Sequence, residues 1–249
     1  MLSLATMTEG APMSDPRTVR RALVMAGVGG IAAAGLIGPG AASANAADSC
    51  ADVAVVFARG TAEPAGVGRV GQAFVDDLRS DLGGRSVSVY AVNYPASYDF
   101  LQSAPQGAAD ASAFVQATAA SCPDTSIVLG GYSQGAAVVD LITADPSATL
   151  GFGQPMPPAV ADHVGAVAVF GNPSAKIGRS LTAVSPLYGA KTVDLCNGAD
   201  PVCSDGDDRA AHSRYPESGL VTQAATFVSA RLAGHSPADV LINASATVG

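Results

Sequence analysis

Five short apolar runs punctuate the chain: Asp52–Ala58, Val87–Val92, Ser126–Gly130, Gly165–Phe170 and Lys191–Leu195. Runs of this length without strict alternation predict strands buried on both faces, as in a parallel sheet. Between the first two, Val70, Phe74, Val75, Leu78 and Leu82 recur at three- and four-residue spacing, while Asp76, Asp77, Arg79 and Asp81 take the other side. That pattern predicts an amphipathic crossover helix. Gln106–Ala120 and Leu220–Leu232 read similarly, and Ala136–Thr143 reads as the start of another helix. Pro155–Pro158 and the residues after Gly234 read as loop and tail. The expected class is α/β, a central five-stranded parallel sheet with helices on both faces.

The N-terminus stands apart from this rhythm. Arg20-Arg21 precede an uncharged stretch from Ala22 to about Ala42, which runs into Ala42-Ser-Ala44 and Ala44-Asn-Ala46. A basic flank, an apolar segment and small-residue cleavage sites describe a secretory leader, residues 1–46, and the arginine pair after Thr18-Val19 partly matches twin-arginine export. Residues 47–249 are then expected to form one domain, about 200 residues being enough for a sizeable core. Without the leader, ten basic side chains face nineteen acidic ones, a net charge of −9. Such a surface repels nucleic acid and anionic membranes. A secreted protein is expected, free or held at the cell envelope, monomeric and without stable membrane insertion.

All four cysteines, Cys50, Cys122, Cys196 and Cys203, follow the leader, and an even count in an exported chain implies disulfides. Three pairings are possible. Cys196 and Cys203 bracket a turn-rich hexapeptide that a bridge could close, which would leave Cys50 for Cys122. Without a C-x-x-C pair or a histidine near the first three, no metal site is expected.

The chemistry concentrates at Gly131-Tyr-Ser-Gln-Gly135, between a predicted strand and a predicted helix. A G-x-S-x-G pentapeptide in that context is a nucleophile elbow: the chain turns sharply, the glycines relieve crowding, and Ser133 Oγ is lifted clear of the sheet. A serine hydroxyl needs a base to take its proton and a carboxylate to orient that base. With this elbow the partners follow in the order acid, then histidine. His163 falls before a strand, at the wrong end of the sheet, and His235 in the tail; His212, just before the last helix, remains. Asp194, Asp200, Asp205, Asp207 and Asp208 all qualify as the acid by order, and Asp200 is preferred for its place inside the Cys196–Cys203 segment. Oxyanion donors are expected from the N–H of Gln134 and from Arg59-Gly-Thr-Ala-Glu63 after the first strand.

Phe57-Ala-Arg-Gly-Thr-Ala-Glu63, Gly131-Tyr-Ser-Gln-Gly-Ala136, Phe170-Gly-Asn-Pro173, Cys196-x3-Asp200-x2-Cys203 and His212 together resemble the cutinase family, in particular its secreted actinobacterial branch. The resemblance runs from Cys50 to about Leu232. It implies a small, lidless α/β-hydrolase with Ser133 as nucleophile, Asp200 as acid and His212 as base. It further implies an oxyanion hole at Thr61 and Gln134, bridges Cys50–Cys122 and Cys196–Cys203, and no cofactor. Thr61 stands where fungal members carry serine.

A secreted serine esterase working through an acyl-enzyme is therefore expected. Asp207, Asp208, Arg209, Arg214 and Glu217 flank His212, where an enzyme of lipid interfaces would favour apolar side chains, so soluble esters of short to medium acyl chain are the expected substrates. With no Trp and 5% aromatic residues, the chain offers little for stacking on sugars. Two alternatives are a lipase or phospholipase acting on envelope or host lipids, and a catalytically silent binding protein on the same scaffold.

Overall fold

The computed structural model describes residues 50–149 and 153–234; the expected leader, His235 and the tail lie outside them. Strand β1 (Val53–Ala58) leads to helix α1 (Gly68–Leu82), β2 (Val87–Ala91) to α2 (Phe100–Ser121), and β3 (Ser126–Tyr132) to α3 (Gln134–Thr143). A 3-10 turn at Pro158–His163 precedes β4 (Val164–Phe170) and the short helices α4 (Pro173–Lys176) and α5 (Leu181–Val184). Then follow β5 (Thr192–Leu195), the short α6 (Arg209–Ser213) and the closing α7 (Leu220–Leu232). The five strands form one parallel sheet in the order β2-β1-β3-β4-β5.

Alternate side chains of the buried strands feed two cores. Val53, Val55 and Phe57 pack with Phe74 and Leu78 of α1 and with Ala224 and Val228 of α7. On the other face, Val56, Ile127 and Leu129 pack with Ala108 and Val115 of α2 and with Val138 and Ile142 of α3. Both faces are thus covered, which explains why the strands read as continuous apolar runs.

Helix α2 begins six residues earlier than its pattern predicts and carries Pro105 inside. Proline removes the N–H that would bond Leu101 O. Leu101 and Pro105 are both exposed, so the freed carbonyl lies on the solvent side of the helix, where the loss of its partner costs little, and the helix passes through.

Strand register positions the site. Ala58 pairs with Gly131, Tyr132 with Phe170, and Phe170 with Leu195. The connections that leave β1, β3, β4 and β5 therefore emerge side by side at one edge of the sheet, the C-terminal edge where open α/β sheets bind their ligands. The Cys50–Cys122 bridge, with Cα atoms 5.6 Å apart, lies at the opposite edge, beside the start of β1.

Candidate active site

Ser133 occupies the single residue between β3 and α3, at φ 55° and ψ −117°. A non-glycine residue reaches that conformation only where its surroundings force it. The flanking glycines explain how. A Cβ on Gly135 would stand 1.9 Å from Ala58 O, and one on Gly131 would stand 2.2 Å from Gly135 O. The helix can approach the strands this closely only without those atoms. Ser133 N donates to Phe170 O at 2.9 Å, which ties the turn to the neighbouring strand.

His212 comes to this turn from the far end of the chain. Its Nε2 lies 2.9 Å from Ser133 Oγ and its Nδ1 lies 2.7 Å from Asp200 Oδ2. A carboxylate only accepts, so Nδ1 carries the proton and the Nε2 lone pair faces the hydroxyl. The segment around His212 forms the short helix α6, capped by Asp208, whose side chain accepts from Ala210 N at 2.9 Å. Tyr132 OH donates to His212 O at 2.6 Å and its ring lies against the imidazole, 5.0 Å between centroids.

Asp200 is fully buried. Its Oδ1 accepts from Val202 N at 2.8 Å, and its Oδ2 accepts from both His212 and Tyr215 OH. Burial, and then the bond to Asp200, push the Tyr215 phenol well above its usual range, so it remains a donor. The Cys196–Cys203 bridge closes the turn that carries Asp200. Cys196, Asp200 and Cys203 sit close enough to ligate an ion, but both sulfurs are committed to the disulfide, and a disulfide is no thiolate ligand. Gly171, at φ 59°, passes beneath this group; a Cβ there would meet His212 Cε1 at 3.0 Å and Asp200 Oδ2 at 3.2 Å.

Gln134 follows Ser133 directly, Thr61 follows the Ala58–Arg59 segment that packs against Gly135, and among the described residues no protein group accepts from either N–H. Two non-glycine residues at positive φ lie near Thr61: Ala62 at φ 61° and Ala96 at φ 49°, joined by Ala62 N donating to Ala96 O at 2.7 Å. Arg59, 7% exposed, locks both loops together. Its guanidinium donates to Glu63 O at 2.9 Å and Tyr94 O at 2.8 Å, while Tyr94 OH donates back to Arg59 O. Glu63 accepts from Gly60 N at 2.7 Å and from Arg69 N at 2.9 Å, fixing the loop to the start of α1. The Gln134 side chain accepts from Ser103 Oγ and donates to Ser97 O, so its backbone is held as well.

The cutinase family profile matches residues 49–232. The chain belongs to the cutinase family. It is 54% identical over 200 residues to carboxylesterase Culp1 of Mycobacterium tuberculosis (strain ATCC 25618 / H37Rv), covering 78% of this chain and 88% of the relative. With phospholipase Culp4 of the same strain it shares 52% over 201 residues, or 81% and 88% of the two chains. Among solved structures it is similar to Trichoderma reesei cutinase in complex with a phosphonate inhibitor, with a TM-score of 0.61 and 36% identity over 74% of this chain and 77% of that one. The catalytic core domain of acetyl xylan esterase from the same fungus gives a TM-score of 0.62 and 26% identity over 73% and 99%.

The other sequence candidates of this cutinase-family chain fall elsewhere. Asp205 and Asp207 are exposed, Asp208 caps α6 and pairs with Arg214 at 2.9 Å, and Asp194 turns to Asn172 and Leu181 N. His163 ends the 3-10 turn before β4, at the opposite edge of the sheet. Sequence reasoning missed Tyr215, Tyr132 and the locking role of Arg59. Their signal was weak, an ordinary polar residue beside a motif, because each acts on a partner distant in the chain.

The two walls of the crevice differ in character. Around His212 the surface is charged, as the sequence indicates. Across from it, where α2 begins, Tyr98, Phe100 and Leu101 are 76%, 52% and 73% exposed, and Ile177 beyond α4 is 64% exposed.

Proposed function

We propose that the chain is a secreted serine esterase that cleaves carboxylic esters of short to medium acyl chain through an acyl-enzyme. The unbroken relay from Ser133 Oγ through His212 to Asp200, at 2.9 and 2.7 Å, carries this reading. His212 Nε2 takes the Ser133 proton as Oγ attacks the ester carbonyl. The oxyanion is received by the N–H groups of Gln134 and Thr61, which have no competing acceptor among the described residues. The imidazolium, steadied by Asp200, protonates the departing alkoxide, and water then repeats the sequence to release the acid. Nucleophile, base and oxyanion donors all come from the chain, so the cycle needs no cofactor. The expected leader and the two disulfides support export, free or at the cell envelope, and we read the enzyme as a monomer.

Labelling with an organophosphate, followed by peptide mapping, tests the assignment. The label belongs on Ser133, and Ser133→Ala is expected to lose roughly 10⁶-fold in kcat while staying folded. An adduct on another serine, or an active Ser133→Ala protein, overturns it.

The apolar wall favours a second substrate reading, esters presented by lipids. Exposed Tyr98, Phe100, Leu101 and Ile177 form a surface suited to a lipid layer, and the similarity to a phospholipase fits it. On that reading the rate rises when the same ester passes from monomers to aggregates; a rate that only saturates leaves soluble esters as the substrates.

A further inference from the structure

The turn Phe170-Gly-Asn-Pro173, which joins β4 to α4, meets every member of the relay. Phe170 O accepts from Ser133 N at 2.9 Å. Gly171 lies against the other two, since a Cβ on it would stand 3.0 Å from His212 Cε1 and 3.2 Å from Asp200 Oδ2. Moving this backbone therefore moves nucleophile, base and acid relative to one another.

The side chain of Asn172, fully buried, holds the turn in place. Its Nδ2 donates to Asp140 Oδ1 on α3 and to Asp194 Oδ2 on β5, each at 3.1 Å. Its Oδ1 accepts from Ser174 N at 3.0 Å and so caps α4. The Ser174 N–H can only face an oxygen, which fixes the end of the amide that is nitrogen. A backbone bond, Gly171 N to Leu195 O at 2.9 Å, ties the turn to β5 a second time. Burying the two acids is unfavourable. Asp140 is 4% exposed and burial pushes its carboxyl up to about 7, and burial raises that of Asp194 as well. Among the described residues neither forms an ion pair. A leucine or alanine at either place would avoid that cost, but only an acceptor on each side can hold the amide between them.

We propose that Asn172 is a positioning residue of the ester reaction: clamped between Asp140 and Asp194, it fixes the turn against which Ser133, His212 and Asp200 are set. The proposal rests on the reading of these three as the catalytic relay. Capping alone does not call for this arrangement, since serine or aspartate caps a helix as well as asparagine does. The bridge does. Of the three, only asparagine offers two N–H donors, one for each carboxylate. Aspartate would keep the cap and set a third carboxylate against the other two; serine would keep the cap with one short donor.

The test is kcat and KM for an acetate ester in Asn172→Asp and Asn172→Ser, with kcat corrected for the folded fraction. Small misplacements of reacting groups slow catalysis steeply, so Asn172→Asp is expected to lose about 30-fold in kcat and Asn172→Ser about fivefold, with KM within about twofold of the parent. Transposing one arm of the bridge supplies the rescue. Asn172→Asp combined with Asp140→Asn puts the amide on α3 and the carboxylate on the turn, and is expected to regain about tenfold in kcat over Asn172→Asp. A kcat equal to that of the parent in both single variants, whatever their melting temperatures, overturns the proposal. So does a loss carried by KM, or a transposed pair no faster than Asn172→Asp. Should Asn172→Asp not fold, Asn172→Ser, which adds no charge, decides by the same criterion. The parent and Ser133→Ala, assayed alongside, report on the esterase reading by itself. An active parent, an inert Ser133→Ala and an unaffected Asn172→Asp keep that reading and remove the role of Asn172; a parent inert on acetate esters removes both.

Discussion

The hydroxyl of Tyr215 donates to the same Oδ2 of Asp200 that accepts from His212, both at 2.7 Å. Asp200 is fully buried, and Tyr215 on Oδ2 together with Val202 N on Oδ1 holds its carboxylate in line with the imidazole. Tyr215→Phe removes only the hydroxyl. A hydrogen bond to a charged group contributes about 1.5–3 kcal/mol, so the variant should fall in kcat by about tenfold or more while KM stays close to that of the parent. Steady-state kinetics decides, and a raised KM with kcat intact would refute a positioning role.

Gly135→Ala tests the elbow itself. The new methyl would stand 1.9 Å from the Ala58 carbonyl oxygen, a backbone atom that cannot swing aside. Overpacking of this kind costs about 3 kcal/mol or more, and α3 would have to move away from the sheet, taking Ser133 with it. Urea denaturation should show the loss in midpoint, and activity should disappear even in the folded fraction. A variant as stable and active as the parent contradicts the close packing.

The two disulfides should separate by function. On the chain-entropy account the bridge spanning 72 residues contributes about 4 kcal/mol and the one spanning 7 about 2.5. The long bridge lies at the edge away from Ser133, whereas the short one closes the turn of Asp200. Cys50→Ser should therefore mainly lower the melting temperature. Cys196→Ser should lower activity by more than its unfolding explains. Equal specific activities after correction for folded fraction would defeat this division.

The sequence discloses local periodicity and short-range motifs, and these carried most of the fold. All five strands lie within two residues of their apolar runs, because a strand buried on both faces has to be apolar throughout. Ser133, Asp200 and His212 were reachable because the elbow is local and the order of its partners leaves few alternatives. The start of α2 was not, since Pro105 reads as a breaker unless its solvent exposure is known. Nor was the bond between Arg59 and Tyr94, 35 residues apart, which no period announces. Asp140 was hidden for a related reason: an aspartate in a helix reads as its wet face, and only packing against Asn172 and Asp194 shows it buried. The polarity of the site was judged from the wall beside His212, while the apolar wall comes from the turn before α2.

Asp140 also leads to a prediction about stability and pH. Burial raises its carboxyl from 3.8 to about 7, with Asp194 adding to the rise and Ser174 and Asn172 opposing it. Below about pH 4 the folded and unfolded chains both hold this proton. Between about pH 4 and 7 the unfolded chain has released it and the folded chain has not, so folding takes up a proton and stability falls as pH rises. Above about 7 both are ionised and the decline stops. At about 1.4 kcal/mol per pH unit, the loss across the window is on the order of 4 kcal/mol. Asp140→Asn removes the titration and keeps the shape, so its melting temperature should decline less than that of the parent over this window. Groups that do not interact with Asp140 contribute equally to both proteins, so the difference between the two curves reports Asp140 together with its coupling to Asp194. Parallel curves from pH 4 to 7 would mean that Asp140 is ionised in the folded chain throughout, with a partner for its second oxygen.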